Sequence, residues 1–294
     1  MPPETILSLD TDWAIWDVDP ESLFARVGAA ALATGAGPAR EAQANPAIPF
    51  QMIPGTDVGV VSMTGVLEKR MSFFGSLFGG TSMLAVKAAM NAAVADKAVG
   101  SIMLRIDSPG GSVSGTTDLA DAIAAASKRK RVVAFVDGVA ASAAFWAGAQ
   151  AQEIWGTRDS LVGSIGILGV VHDTSEQAKA EGVKPIVLTT GKFKGTGVPG
   201  TKITAEQIAE LQKRIDFSFA EFKAAVGRGR RMSAEAVDAV ADGRVFHPPE
   251  AMELGLLDKV VSFEEAVAIL ADEGRHAQRV RNARGQASVH ARKV

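Results

Sequence analysis

Gly100-Ser101-Ile102-Met103-Leu104-Arg105-Ile106-Asp107-Ser108-Pro109-Gly110-Gly111 opens on an apolar run and closes on a proline–glycine turn. The run predicts a buried strand over 100–106, and the paired glycines predict a turn whose backbone N–H groups can approach a ligand closely. Downstream, Thr116 and Thr117 open a helical pattern that runs to Ser127, and Val132 to Val136 is a second apolar run. Strand, turn, helix and strand in this order make one βαβ unit, with two parallel strands joined by a crossover helix.

The same alternation extends outward. Val58 to Met63 reads as a strand and Ser82 to Val94 as a helix; Glu153 to Trp155, Leu161 to Val170 and Lys184 to Leu188 are further strand candidates. These runs are nearly continuous rather than alternating, as expected when helices cover both faces of a sheet. A helix over Thr204 to Val226 spaces Ile208, Leu211, Ile215, Phe219, Phe222 and Val226 three or four residues apart, so its apolar stripe must pack on the sheet or on a sister subunit. A helix over Ser233 to Ala241 follows, with small strands over Arg244 to Phe246 and Leu256 to Val261. The fold class is α/β, a mostly parallel sheet covered by helices.

The 294 residues divide into an N-terminal arm and linker over 1–50, a body over 51–272 and a basic tail over 273–294. Asp19, Pro20 and Glu21 have the order of an N-cap, a first-turn proline and a first-turn acid, predicting a short helix through Leu23, Val27 and Leu32. Thr34 to Pro49 is rich in Ala, Gly and Pro and reads as a linker. The last 20 residues carry Arg275, Arg279, Arg281, Arg284, Arg292 and Lys293 without an acid. They read as a solvated, disordered tail, with contact to a nucleic acid or an acidic partner surface as the alternative.

With no cysteine, thiolate nucleophiles, thiolate zinc sites and disulfides are excluded. A net charge of −2 gives no global attraction to nucleic acid. Met1 to Asp19 holds Glu4, Asp10, Asp12, Asp17 and Asp19 and no basic residue, the opposite of a secretory leader. No uncharged apolar run approaches the roughly 18 to 20 residues of a membrane span. The expectation is a soluble, cytoplasmic protein that needs no cofactor or metal.

Chemistry concentrates in four segments. Ser108-Pro109-Gly110-Gly111 follows a buried strand, and its N–H groups suit an oxyanion site. Asp137 to Ala144 joins a strand to a helix and sets the Ser142 hydroxyl among small apolar neighbours at the helix N-terminus, with the Ala143 N–H as a second oxyanion donor; the plainer reading makes Ser142 an N-cap. A hydroxyl needs a base. His172 and His247 sit in no supporting motif, and no helical His-Glu-x-x-His pair or Gly-x-Ser-x-Gly elbow is present. Lysine remains. To act near neutral pH, a lysine must fall from about 10.4 to between 7 and 8, which apolar surroundings supply. Lys192 and Lys194, in Gly191-Lys192-Phe193-Lys194-Gly195, are equally eligible, and the phosphate-loop pattern is not met there. Ser164, in Gly163-Ser164-Ile165-Gly166, could orient the amine.

In this order the motifs resemble the S49 peptidases, the signal peptide peptidase A family, whose fold is related to the Clp protease and crotonase folds. The likeness runs from about Val58 to about Leu270. It implies a serine endopeptidase in which Ser142 is the nucleophile, Lys194 the general base, Ser164 the support for that lysine, and Gly111 and Ala143 the oxyanion donors. Family members often have glycines after the nucleophile, where this chain has Ala143 and Ala144. Trp13 and its arm, Gly80-Thr81-Ser82 and Ala141 to Trp146 look more like the phage branch, which matures capsids. The resemblance also implies a ring or dome of subunits that share sites, with polypeptide as substrate. The apolar run Met71 to Phe78 fits a covered surface of that kind. A soluble general peptidase of the signal peptide peptidase type, a crotonase-like acyl-CoA enzyme and a non-catalytic capsid scaffold are the rival readings.

Overall fold

Each apolar run forms a strand where its neighbours can pair with it. In the computed structural model, residues 13–15, 50–72, 75 and 79–291 are described. In chain order these give β1 (Trp13–Ile15), β2 (Gln51–Met52), β3 (Val58–Thr64), β4 (Leu67–Glu68), β5 (Thr81–Ser82) and α1 (Met83–Ala95). Next come β6 (Ser101–Ser108), β7 (Gly110–Ser112), α2 (Thr116–Ser127), β8 (Arg131–Ala141), α3 (Ala143–Gly148), β9 (Glu153–Gly156), β10 (Leu161–Gly163) and α4 (Ser175–Ala180). The chain continues through α5 (Ala205–Arg230), α6 (Ala234–Asp238), β11 (Val245–Phe246), α7 (Pro248–Glu253), β12 (Lys259–Val260) and α8 (Phe263–Ala291).

The main sheet runs β11-β10-β8-β6-β3-β2, with β9 on β8 and β12 on β9. Its central pairs are parallel, and only the edge strands β2 and β11 pair antiparallel. Both faces are buried, which explains the continuous apolar runs. On one face Ile102, Leu104 and Ile106 of β6 join Val132, Ala134 and Val136 of β8 under helices α1, α2 and α3. On the other, Met103, Val133, Phe135 and Trp155 pack with Ala266 and Leu270 of α8. A smaller sheet, β1-β7-β4-β5, lies beside it.

Polar contacts fasten the outer helices. Ser82 caps α1 through the Ala85 N–H, and Thr204 with Gln207 forms a capping box on α5. At the far end of α5 the buried Arg230 guanidinium donates to both Asp258 oxygens at 2.8 and 2.7 Å, while Asp258 Oδ2 accepts the Ile154 N–H at 2.6 Å. One carboxylate thus ties α5 to β9.

The structure departs from the sequence reading at several places. The strand expected over Leu161 to Val170 ends at Gly163, because Gly163 and Ser164 take φ of 121° and 50° and turn the chain out of the sheet. Lys184 to Leu188 pairs with no strand among the described residues; Pro185 lacks an N–H, and Ile186 and Leu188 are 82% and 92% exposed. The basic segment expected to be a disordered tail is helical to Ala291 as a continuation of α8. Its alanine, arginine and glutamine are strong helix formers, and Gly274 lets α8 pass against the Asp57 carboxylate. The helix expected through Leu23, Val27 and Leu32 and the linker over 34–49 lie outside the described residues, as do Phe73, Phe74, Ser76, Leu77 and Phe78 of the apolar run.

Candidate active site

Three parallel strands end together and bring three of the four segments into one place. Ser108 of β6 stands opposite Ala140 of β8, and Gly163 of β10 stands opposite Ala141. The Ser142 N–H then donates to the Gly163 carbonyl at 2.8 Å, which fixes the nucleophile candidate beside Ser164.

The end of β8 is aimed by a bulge. Ile106 pairs with Val136, but Ser108 pairs with Ala140, so β8 carries extra residues between them. Asp107 of β6 faces the bulge and accepts the Val139 N–H at 3.2 Å, and a side chain on Gly138, at φ 125°, would meet the same carboxylate oxygen at 2.4 Å. Asp107 and Gly138 thus shape the turn that leads to Ser142, a part the sequence reading gave to neither. An acid directly before Ser108-Pro109-Gly110-Gly111 was the available signal.

Ser142 follows at φ 53° and ψ −120°, a conformation that costs a non-glycine residue on the order of 1–3 kcal/mol. It is 1% exposed, makes no side-chain cap bond to α3, and its hydroxyl has no hydrogen-bond partner among the described residues. Ser142 stands at the N-cap position of α3, but its side chain does not cap the helix. A strained, buried and unpaired hydroxyl is the sort of exception to polar satisfaction that points to chemistry. Small neighbours make it possible: Ala140, Ala141, Ala143 and Ala144 are all buried. Trp146 stacks on Phe222 of α5, with ring centroids 4.6 Å apart and planes 9° from parallel, and so holds α3 in place.

The oxyanion candidates flank this point. Ala143 opens α3, where a first-turn N–H has no acceptor within the helix. Gly111 lies in β7, which packs against α3. There the close approach predicted for glycine is to protein backbone, since a Cβ on Gly111 would fall 2.0 Å from the Leu67 carbonyl oxygen of β4. Ser164 is buried, and its N–H donates to the Arg244 carbonyl at 2.7 Å.

Neither lysine hydrogen-bonds the Ser142 hydroxyl. Lys192 and Lys194 are exposed in the turns between Thr189 and Gly200, and Lys192 forms an ion pair with Glu206. Lys194 has no ion-pair partner among the described residues. Next to this loop lies an exposed apolar stretch with Leu168, Val170, Val171, Val183, Ile186 and Leu188; Phe217 of α5 is also exposed. Among the described residues no group of acids and histidines could hold a metal ion, and no helix is long and apolar enough to cross a membrane.

Comparison with known proteins places this sequence among peptidases. Residues 124–276 match the family described as peptidase family S49, and residues 58–160 match the Clp protease family. The chain is 29% identical over 220 residues to Protease 4 of Salmonella typhi, covering 74% of this chain and 35% of that protein. It is 28% identical over 226 residues to the head-tail preconnector protein GP5 of Enterobacteria phage P21, covering 77% and 44%. It is also 27% identical over 223 residues to the capsid assembly protease C of Escherichia phage lambda, covering 76% and 50%. The chain thus spans half or less of the length of each of these relatives.

Proposed function

The chain belongs to peptidase family S49, and from that membership and the state of Ser142 we propose that it is a serine endopeptidase working through a Ser142–Lys194 dyad. One observation carries this reading: a buried hydroxyl without a partner among the described residues, held in a strained conformation at the ends of three parallel strands. In the proposed cycle the neutral Lys194 amine takes the Ser142 proton as Oγ bonds to the peptide carbonyl carbon, and the N–H groups of Gly111 and Ala143 hold the oxyanion. Collapse breaks the C–N bond, and the lysine ammonium returns its proton to the leaving amine. Water, deprotonated by the same amine, then releases the acyl group and restores the serine. Ser164 orients the amine.

Lys194 reaches Ser142 from a neighbouring subunit in this account. Three features support a shared site: a hydroxyl without a partner and an exposed Lys194 without an ion pair among the described residues, and the exposed apolar side chains of Leu168, Val170, Val171, Ile186 and Leu188 near the lysine loop. Burying those side chains between subunits would remove water around the amine and favour its neutral form. The favoured role is capsid maturation in the host cytoplasm or prohead, supported by the two phage relatives. A general peptidase of the signal peptide peptidase type is the second reading, supported by the likeness to Protease 4.

Labelling tests the nucleophile. A serine-directed peptidyl phosphonate should add to one residue, Ser142, with the adduct found by mass spectrometry of the tryptic peptides. Labelling elsewhere with Ser142 unmodified would refute the assignment, and thioester turnover indifferent to Ser142→Ala would select the acyl-CoA reading.

A further inference from the structure

One strand pairing joins segments far apart in the chain. β1 lies antiparallel on β7, with Trp13 opposite Ser112, Ala14 opposite Gly111 and Ile15 opposite Gly110. On its other side β7 is held by a single residue pair, Gly111 with Leu67 of β4. Without β1, β7 would be the edge of the small sheet, presenting unpaired N–H and C=O groups. This same strand carries Gly111 and packs on α3, the helix that Ser142 precedes. Two of its three residues are glycine, so it offers main chain and almost no side chain. Such an edge recognises an extended polypeptide through its backbone rather than through a particular sequence.

We propose that Trp13–Ile15 is an intrasteric occupant of the β7 edge, and that it must leave before a polypeptide segment can dock there as a strand. That the incoming segment is a substrate rests on the peptidase reading; the competition for the edge does not. The sequence of the arm suits a resident that holds and lets go. Trp13, Ile15 and Trp16 are residue types that favour strands, and Asp12 and Asp17 are types that disfavour them, so the run suited to pairing is short. A short tethered strand of this kind occupies the edge through its high local concentration and yields to a longer free strand.

The test uses the full chain carrying Ser142→Ala, so that nothing is cleaved, with and without Ala14→Pro and Ile15→Pro together. The prolines remove N–H donors from β1 and cannot sustain its ladder. The probe is a fluorescein-labelled peptide with the sequence of residues 8–20, and its affinity is read by anisotropy. The proline variant should bind at least about tenfold more tightly, the factor expected if the arm covers the edge roughly nine-tenths of the time. Hydrogen exchange within Gly110–Ser112, at the N–H groups that face β1, should quicken in the proline variant and slow again with peptide, whereas Ala14→Val should match the parent. Equal affinities, or exchange throughout Gly110–Ser112 unmoved by the prolines, would overturn the proposal. If binding and exchange behave as expected but the chain with Ser142 intact and both prolines cleaves no polypeptide, the peptidase reading falls and the docking strand stands.

Discussion

Ser142→Ala is expected to lower peptide-bond cleavage by at least about 10³-fold while leaving the chain as stable as the parent or slightly more so. The loss follows because no other described hydroxyl combines burial, lack of a partner and a position at the ends of β6, β8 and β10. The stability result separates a nucleophile from a structural serine. A capping serine would lose on the order of 1 kcal/mol on replacement by alanine. Ser142 makes no cap bond, and its unpaired hydroxyl is itself a cost that alanine removes. Rates on an unfolded polypeptide and thermal melts of both proteins check the two halves. Cleavage retained within tenfold, or a melt lowered by many degrees, would contradict the assignment.

Lys194→Ala should produce a loss of the same order, and Lys192→Ala a change of only a few-fold. Two lysines separated by one residue cannot be told apart by local pattern, but the structure gives them different surroundings. Lys192 is committed to Glu206, while Lys194 has no ion-pair partner among the described residues. Both are exposed, so neither replacement should disturb the core, and circular dichroism and melting should match the parent. Equal losses from the two substitutions would remove the base assignment, and a loss confined to Lys192→Ala would reverse it.

Much of the scaffold was legible because strands buried on both faces leave long apolar runs. Thr116 to Ser127 was placed end to end, and Ser101–Ser108 and Arg131–Ala141 grew out of the runs at Ile102 and Val132. The misreading after Leu161 has a local cause: the apolar pattern continues past Gly163, and nothing in composition announces a positive φ at Ser164. Trp13–Ile15 escaped notice because three residues carry no periodicity and their partner strand lies almost a hundred residues away. At the site, residue types announced the chemistry, but the strain at Ser142 and the bulge held by Asp107 exist only once β6, β8 and β10 are in register. That Ser142 and Lys194 share no hydrogen bond within the chain is likewise visible only in three dimensions.

The central claim, that a serine and a lysine from different copies of this chain form one site, is tested most directly by mixing two inactive proteins. Ser142→Ala and Lys194→Ala are combined in equal amounts under conditions where mass spectrometry shows subunits exchanging, and cleavage is measured against the parent. Random assembly places an intact Ser142 beside an intact Lys194 at about one interface in four, so roughly a quarter of the parental activity should return. No recovery in a fully exchanged mixture would contradict the account.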